Sequence, residues 1–145
     1  ENMGISTSNW IEDSSANITV SNSIIAEPCS ASYYLNMIIA YGDYIAIVDN
    51  ILAHSVGRNP LVGYGNNKVV IANNTMYNTK DFNLQIEAYG LGDFQVSSVG
   101  NYVKGRTDST NTGVHNIGTF KAIAGKPIFD EALDTFWFDK NRSED

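Results

Sequence analysis

Residues 18–25 alternate apolar Ile18 and Val20 with Thr19 and Ser21, break at Asn22-Ser23, and resume with Ile24-Ile25. The same wording returns at Ile45-Ala46-Ile47-Val48-Asp49-Asn50-Ile51-Leu52 and at Val69-Val70-Ile71-Ala72-Asn73-Asn74-Thr75-Met76. A looser copy follows at Val96-Ser97-Ser98-Val99-Gly100-Asn101-Tyr102-Val103, and the offsets between copies are 27, 24 and 27 residues. Alternation at period two predicts strands, and a polar pair or Gly-Asn between apolar runs predicts a tight bend, so each copy reads strand, bend, strand. Further short apolar runs lie between the copies, at 35–40, 61–62 and 82–88. Each period therefore holds about three short strands and leaves little room for helices.

A fixed period in this range is the mark of a repeat architecture. Three short strands per period, each stacking on its counterpart in the next, predict an all-β parallel β-helix of about 24–27 residues per coil, with right-handed crossovers. Asn50, Asn74 and Asn101 fall at one place in successive copies, with Ser23 in the first. Asn tolerates the left-handed backbone that a sharp bend requires, and stacked amides can hydrogen-bond to the copies above and below, so this column is expected to be a structural ladder.

The repeat fades after Tyr102. Residues 104–113, rich in Thr, Ser, Asn and Gly, read as a loop, and 120–123 as one further strand. The coils are assigned to residues 1–125. An irregular aromatic and acidic tail, residues 126–145, is assigned as a cap for the open apolar end of the last coil or as a contact segment.

Composition narrows the functional classes. The formal charge is −7, and the nine Lys and Arg residues are scattered singly, which argues against a nucleic-acid surface. An acidic polymer would be repelled as well unless cations intervened. No apolar run approaches the roughly 20 residues of a membrane span, so a soluble chain, processed or cut from something longer, is expected. Cys29 stands alone and reads as a buried thiol, with no intrachain disulfide to report on redox compartment. Sequons at Asn17, Asn73 and Asn141 are what chance yields in so Asn-rich a chain. A Gly-rich phosphate loop in a strand-to-helix setting, zinc-type Cys and His spacing, and a nucleophile elbow are all missing from the sequence.

Four stretches carry a family resemblance. Residues 17–28, Asn-Ile-Thr-Val-Ser-Asn-Ser-Ile-Ile-Ala-Glu-Pro, resemble a segment of bacterial pectate lyases that precedes the active-site coils. Residues 51–61, with Arg58-Asn59-Pro60, are similar to that family's Arg-x-Pro stretch. Asn73-Asn74-Thr75-Met76-Tyr77-Asn78 is similar to its "NNVIYN", and Val99-Gly100-Asn101-Tyr102-Val103-Lys104 to its "VGNYYK". The order is the family's, and the resemblance spans about residues 6 to 105. It implies a right-handed parallel β-helix and β-elimination on a polyuronate: calcium neutralises the substrate carboxylate and acidifies the adjacent proton, an Arg removes that proton, and further basic groups hold the uronate.

Carried over residue by residue, the resemblance nominates Arg58 as the base, although a guanidinium keeps its proton to above about pH 12. It nominates Glu27 as an oxygen ligand for Ca2+, a cation that normally takes several carboxylates. Departures from the family pattern are numerous. Leu61 stands where relatives often have a second Arg, residues 30–36 lack the His or Lys of the preceding coil, and Ser6-Thr7-Ser8-Asn9 replaces Ser-Thr-Asp-Glu. Tyr33, Tyr34 and Tyr64, with Tyr41 and Tyr44, could stack on sugar rings. His54 and His115 read as edge and loop positions, and Asp43/Asp49 and Asp130/Glu131/Asp134 as solvated acidic faces.

Two functions follow as expectations. One is a degenerate lyase scaffold with a structural or carbohydrate-binding role on a secreted, cell-surface or viral particle, able to oligomerise. The other is a working calcium-dependent uronate lyase. The substitutions at Ser8, Asn9 and Leu61 favour the first, and an acidic polysaccharide or other glycan is the expected partner in either case.

Overall fold

The computed structural model describes residues 3–6, 15–28, 35–63, 67–87, 95–106, 115–117 and 135–144. Within them the chain is all-β, with every ladder parallel. Strands β1 (Met3–Ser6), β4 (Leu35–Ala40), β7 (Leu61–Gly63), β10 (Leu84–Glu87) and β13 (His115–Ile117) form sheet 1. Strands β2 (Ser15–Ser21), β5 (Gly42–Val48), β8 (Asn67–Ala72), β11 (Gln95–Val99) and β14 (Thr135–Asp139) form sheet 2. Strands β3 (Ile24–Ala26), β6 (Ile51–Ala53), β9 (Thr75–Tyr77), β12 (Tyr102–Lys104) and β15 (Arg142–Glu144) form sheet 3. Successive strands thus visit the three sheets in rotation, and each lies beside its counterpart one repeat away.

Period-two alternation decides which face of each strand turns inward. Ile45 and Ile47 of β5 are buried while Tyr44 is exposed, and Val69 and Ile71 of β8 are buried while Val70 is exposed. Inward side chains from all three sheets meet in one cluster that includes Met37, Ile47, Leu52, Val62, Ile71, Met76, Ile86 and Val103, with Phe138 packed against it. Strand β4 is buried at every position, and Ile38, Ala40 and Leu61 form a second cluster with Tyr41. A strand covered on both faces reads as an unbroken apolar run, as 37–40 does.

The bends between sheets 2 and 3 are built from two adjacent residues with separate roles. The left-handed conformation belongs to Asn22 (φ 50°), Asp49 (57°), Asn73 (54°), Gly100 (66°) and Lys140 (52°), and not to the asparagines that follow four of them. This corrects the expectation that Asn50, Asn74 and Asn101 themselves supply the left-handed residue. The division has a physical basis: the residue that turns the chain points outward, as exposed Asp49 and Asn73 do, while the next one points its amide inward, where Asn50, Asn74 and Asn101 are buried.

The C-terminal segment also differs from expectation. Residues 135–144 are not irregular: β14 pairs with β11 and β15 with β12, both parallel. The bend Asp139-Lys140-Asn141 repeats the pattern of Asp49-Asn50, displaced 40 residues from Asn101 rather than 24 or 27. A longer connection hid the repeat, because stacking constrains the strands and leaves the loops between them free in length.

Candidate functional site

Side-chain amides bolt one repeat to the next. Asn50 Oδ1 accepts the backbone N–H of Ser23 at 3.1 Å, and Asn50 Nδ2 donates to the Val20 carbonyl at 2.9 Å. Asn74 Oδ1 accepts both the backbone N–H and the Nδ2 of Asn50, at 3.0 and 3.1 Å, while its own Nδ2 donates to the Ile47 carbonyl at 2.8 Å. Asn101 and Asn141 repeat the arrangement. Asn141 joins the column from the C-terminal segment, and Ser23 enters it through its backbone N–H.

A second buried column holds the other bend together. Asn36 Nδ2 donates to Asn59 Oδ1 at 2.8 Å and to the Ala53 carbonyl at 3.1 Å, and Asn59 Nδ2 donates to Thr79 Oγ1 at 2.8 Å and to the Leu52 carbonyl at 3.1 Å. Asn36, Asn59, Thr79 and Asn83 are all buried. Sequence reasoning missed this column, although the regular spacing of Asn36, Asn59 and Asn83 is visible once the period is known.

Arg58 precedes Asn59 of this column in sequence. It lies in the segment joining β6 to β7, is half-buried, and its carbonyl accepts the Met37 N–H at 3.0 Å. The segment is laid on its counterpart in the next repeat by Lys80 N–H to the Ser55 carbonyl at 3.0 Å and Asp81 N–H to the Val56 carbonyl at 2.6 Å. Between the two segments is a cavity of about 210 Å³ lined by Leu35, Val56, Gly57, Arg58, Asp81, Phe82 and Gln85. It presents one guanidinium, one carboxylate, one amide and an apolar wall. Arg58 has φ 52°, but Glu27, Tyr44, His54, Lys68 and Asn78 share that conformation, so it is a habit of the bends and kinks here rather than a strain confined to Arg58.

Glu27 is exposed at the bend after β3, where its N–H donates to the Ala53 carbonyl at 3.3 Å. His54 and Asn78 occupy the same bend in the next two repeats, where Asn78 Nδ2 lies 2.7 Å from His54 Nδ1 and the His54 ring meets Tyr77 edge-on. Calcium takes several hard oxygens, and among the described residues no three His, Cys, Asp or Glu side chains converge. Tyr33, Tyr34 and Tyr64 lie outside the described residues.

No family model, curated protein or solved structure matches the chain. Among the described residues no helix is long and apolar enough to cross a membrane.

Proposed function

We propose that this chain is a stretch of right-handed parallel β-helix, similar in build to pectate-lyase-type enzymes, whose role is to display a glycan-binding or structural surface on a secreted, cell-surface or viral particle. Rotation of the strands through three parallel sheets, bolted by the ladder from Ser23 to Asn141, supports the β-helix reading. Right-handedness follows from the general rule for parallel crossovers.

The observation that carries the functional reading is the company of Arg58. Asp81 lines the same cavity, with Leu35, Val56 and Phe82 as its apolar wall. A uronate entering there would meet a single cation, Arg58, offset by the Asp81 carboxylate, whereas the lyase resemblance implies calcium and further basic groups around the uronate carboxylate. Function rests on the chemistry of the site rather than on the fold, and this chemistry suits a scaffold better than β-elimination.

Affinity electrophoresis in gels containing polygalacturonate, beside a neutral galactan gel, tests binding. Absorbance near 235 nm tests chemistry. Retarded migration without a rise in absorbance is the expected result. A rise that needs calcium, disappears with EDTA and is lost in Arg58→Ala would establish the lyase reading in its place.

A further inference from the structure

The outer face of sheet 2 carries a groove unrelated to Arg58. Ala46, Val70, Ser97 and Trp137 stand in register on β5, β8, β11 and β14, neighbours across the ladders at strand spacing. Their inward neighbours Ile45, Val69 and Val96 belong to the core, so this column faces away from it. Trp137 is 62% exposed and Val70 41% exposed. The small side chain of Ser97 beside the indole leaves a hollow of about 310 Å³, whose lining includes Lys68, Val70, Gln95, Ser97 and Trp137.

One edge of the hollow is charged and held in place. Lys68 Nζ donates to Tyr44 Oη at 2.8 Å and lies 4.4 Å from the centre of the Tyr44 ring. That hydrogen bond, with a smaller contribution from Asp43, holds the ammonium above its ordinary value of 10.5, so it is fully charged at neutral pH. An ammonium has three protons, and one bond to Tyr44 leaves others for a ligand.

We propose that this groove binds a carboxylated sugar unit, with its ring stacked on Trp137 and its carboxylate facing Lys68. A pyranose has an apolar C–H face and a hydroxyl rim. The indole and Val70 suit the face, Gln95 and Ser97 offer donors and acceptors to the rim, and Lys68 supplies the complementary charge. The hollow is at the small end of ligand-pocket sizes, which suits a sugar ring better than the broad, flat contact of a second protein. The column crosses the strands, so a linear glycan could continue over Val70 toward Ala46. This site rests on the glycan-binding reading above and locates it on sheet 2, away from Arg58 in the segment joining β6 to β7.

Isothermal titration of the intact chain with trigalacturonate and with a neutral galactose trimer tests the site in four proteins: the unaltered chain, Trp137→Ala, Trp137→Phe and Lys68→Gln. Trp137→Ala is expected to weaken both ligands by about tenfold or more, and Trp137→Phe to keep most of the affinity. Lys68→Gln is expected to bring the acidic trimer down to the affinity of the neutral one. Far-ultraviolet circular dichroism establishes that each variant is folded; should Trp137→Ala fail to fold, Trp137→Phe with Lys68→Gln still decides through the loss of acidic preference. If Trp137→Ala and Lys68→Gln bind both trimers as the unaltered chain does, the groove is not the site, while glycan binding stands. If the unaltered chain binds neither trimer, the glycan reading fails and the groove proposal with it; if Trp137→Ala abolishes only self-association in sedimentation, the groove proposal alone fails.

Discussion

Asn74 and Asn101 are joined twice through a single oxygen: Asn101 Oδ1 accepts the backbone N–H of Asn74 at 2.9 Å and its Nδ2 at 3.0 Å. Asn74 thus ties the strands on both sides of it, since its own Oδ1 receives Asn50 in the same way.

Asn74→Ala should therefore be among the most damaging polar substitutions in the chain. It strands the Ile47 carbonyl and the Asn50 N–H in a buried setting, and a loss of about 3 kcal/mol or more is expected in urea denaturation. Asn74→Asp keeps the acceptor but forfeits the donor to Ile47 and buries a charge, so it should not rescue stability. A loss below about 1 kcal/mol in Asn74→Ala would mean that the ladder is decorative.

Among the described ladder bends Gly100 alone is a glycine, and it faces two constraints. Its φ is 66°, and a Cβ there would come within 2.6 Å of Asn73 Oδ1. Gly100→Ala should cost about 2 kcal/mol, part from the left-handed backbone and part from the contact. In an Asn73→Gly background the same substitution should cost only about 1 kcal/mol, because the contact is gone and the backbone cost remains. Equal costs in the two backgrounds would assign the whole effect to the backbone.

Position relative to the core should dominate the apolar substitutions. Ile47 is fully buried in the central cluster, while Ile24, at a similar distance from the ladder bend, is 74% exposed. Ile47→Ala should cost about 3 kcal/mol and Ile24→Ala about 0.5 kcal/mol or less, both measured by thermal and urea unfolding. A large loss at Ile24 would show that something covers that face in solution.

A surface cluster at the C-terminal end sets a small pH dependence. Hydrogen bonds from Tyr102 and then Lys104 hold the Glu144 carboxyl below its ordinary 4.5, with Lys104 Nζ 3.3 Å from Glu144 Oε2. A depressed carboxyl contributes stability above its unfolded value and loses it as pH falls through the folded one. Lys104 and Tyr102 are held above 10.5 and 10.0, first of all by the same hydrogen bonds to Glu144, so their share is present below those values and fades as pH rises through the raised ones. The Tm difference between the unaltered chain and Glu144→Gln should be greatest between these limits, shrink below pH 4.5, and narrow in high salt, since the groups are exposed. A pH-independent difference would point to packing rather than charge.

Legibility in the sequence followed how local each signal was. Alternation in 18–21, 45–48 and 69–72 is set by neighbouring residues, and these stretches are strands of one parallel sheet. The site was less legible. Arg58 entered through a likeness of wording, and nothing local could announce that Asp81 and Phe82, in the next repeat, would share its cavity. Lys68 and Tyr44 are 24 residues apart and pair only because their strands are neighbours.

By itself the sequence determined the period, the placement of apolar side chains on one face of each strand, and the recurrence of asparagine at one bend. Each is a property of a few consecutive residues or of their spacing. Tertiary structure decided the rest: that Asp49, Asn73 and Gly100 take the left-handed turn so that Asn50, Asn74 and Asn101 can face inward; that Asn36, Asn59 and Thr79 form a second buried column; and that Asn141 and Trp137 join a repeat 40 residues on. The physical reason is register. Loops of unequal length separate the strands, and only the simultaneous satisfaction of backbone ladders, buried amides and core packing fixes which residue lies beside which.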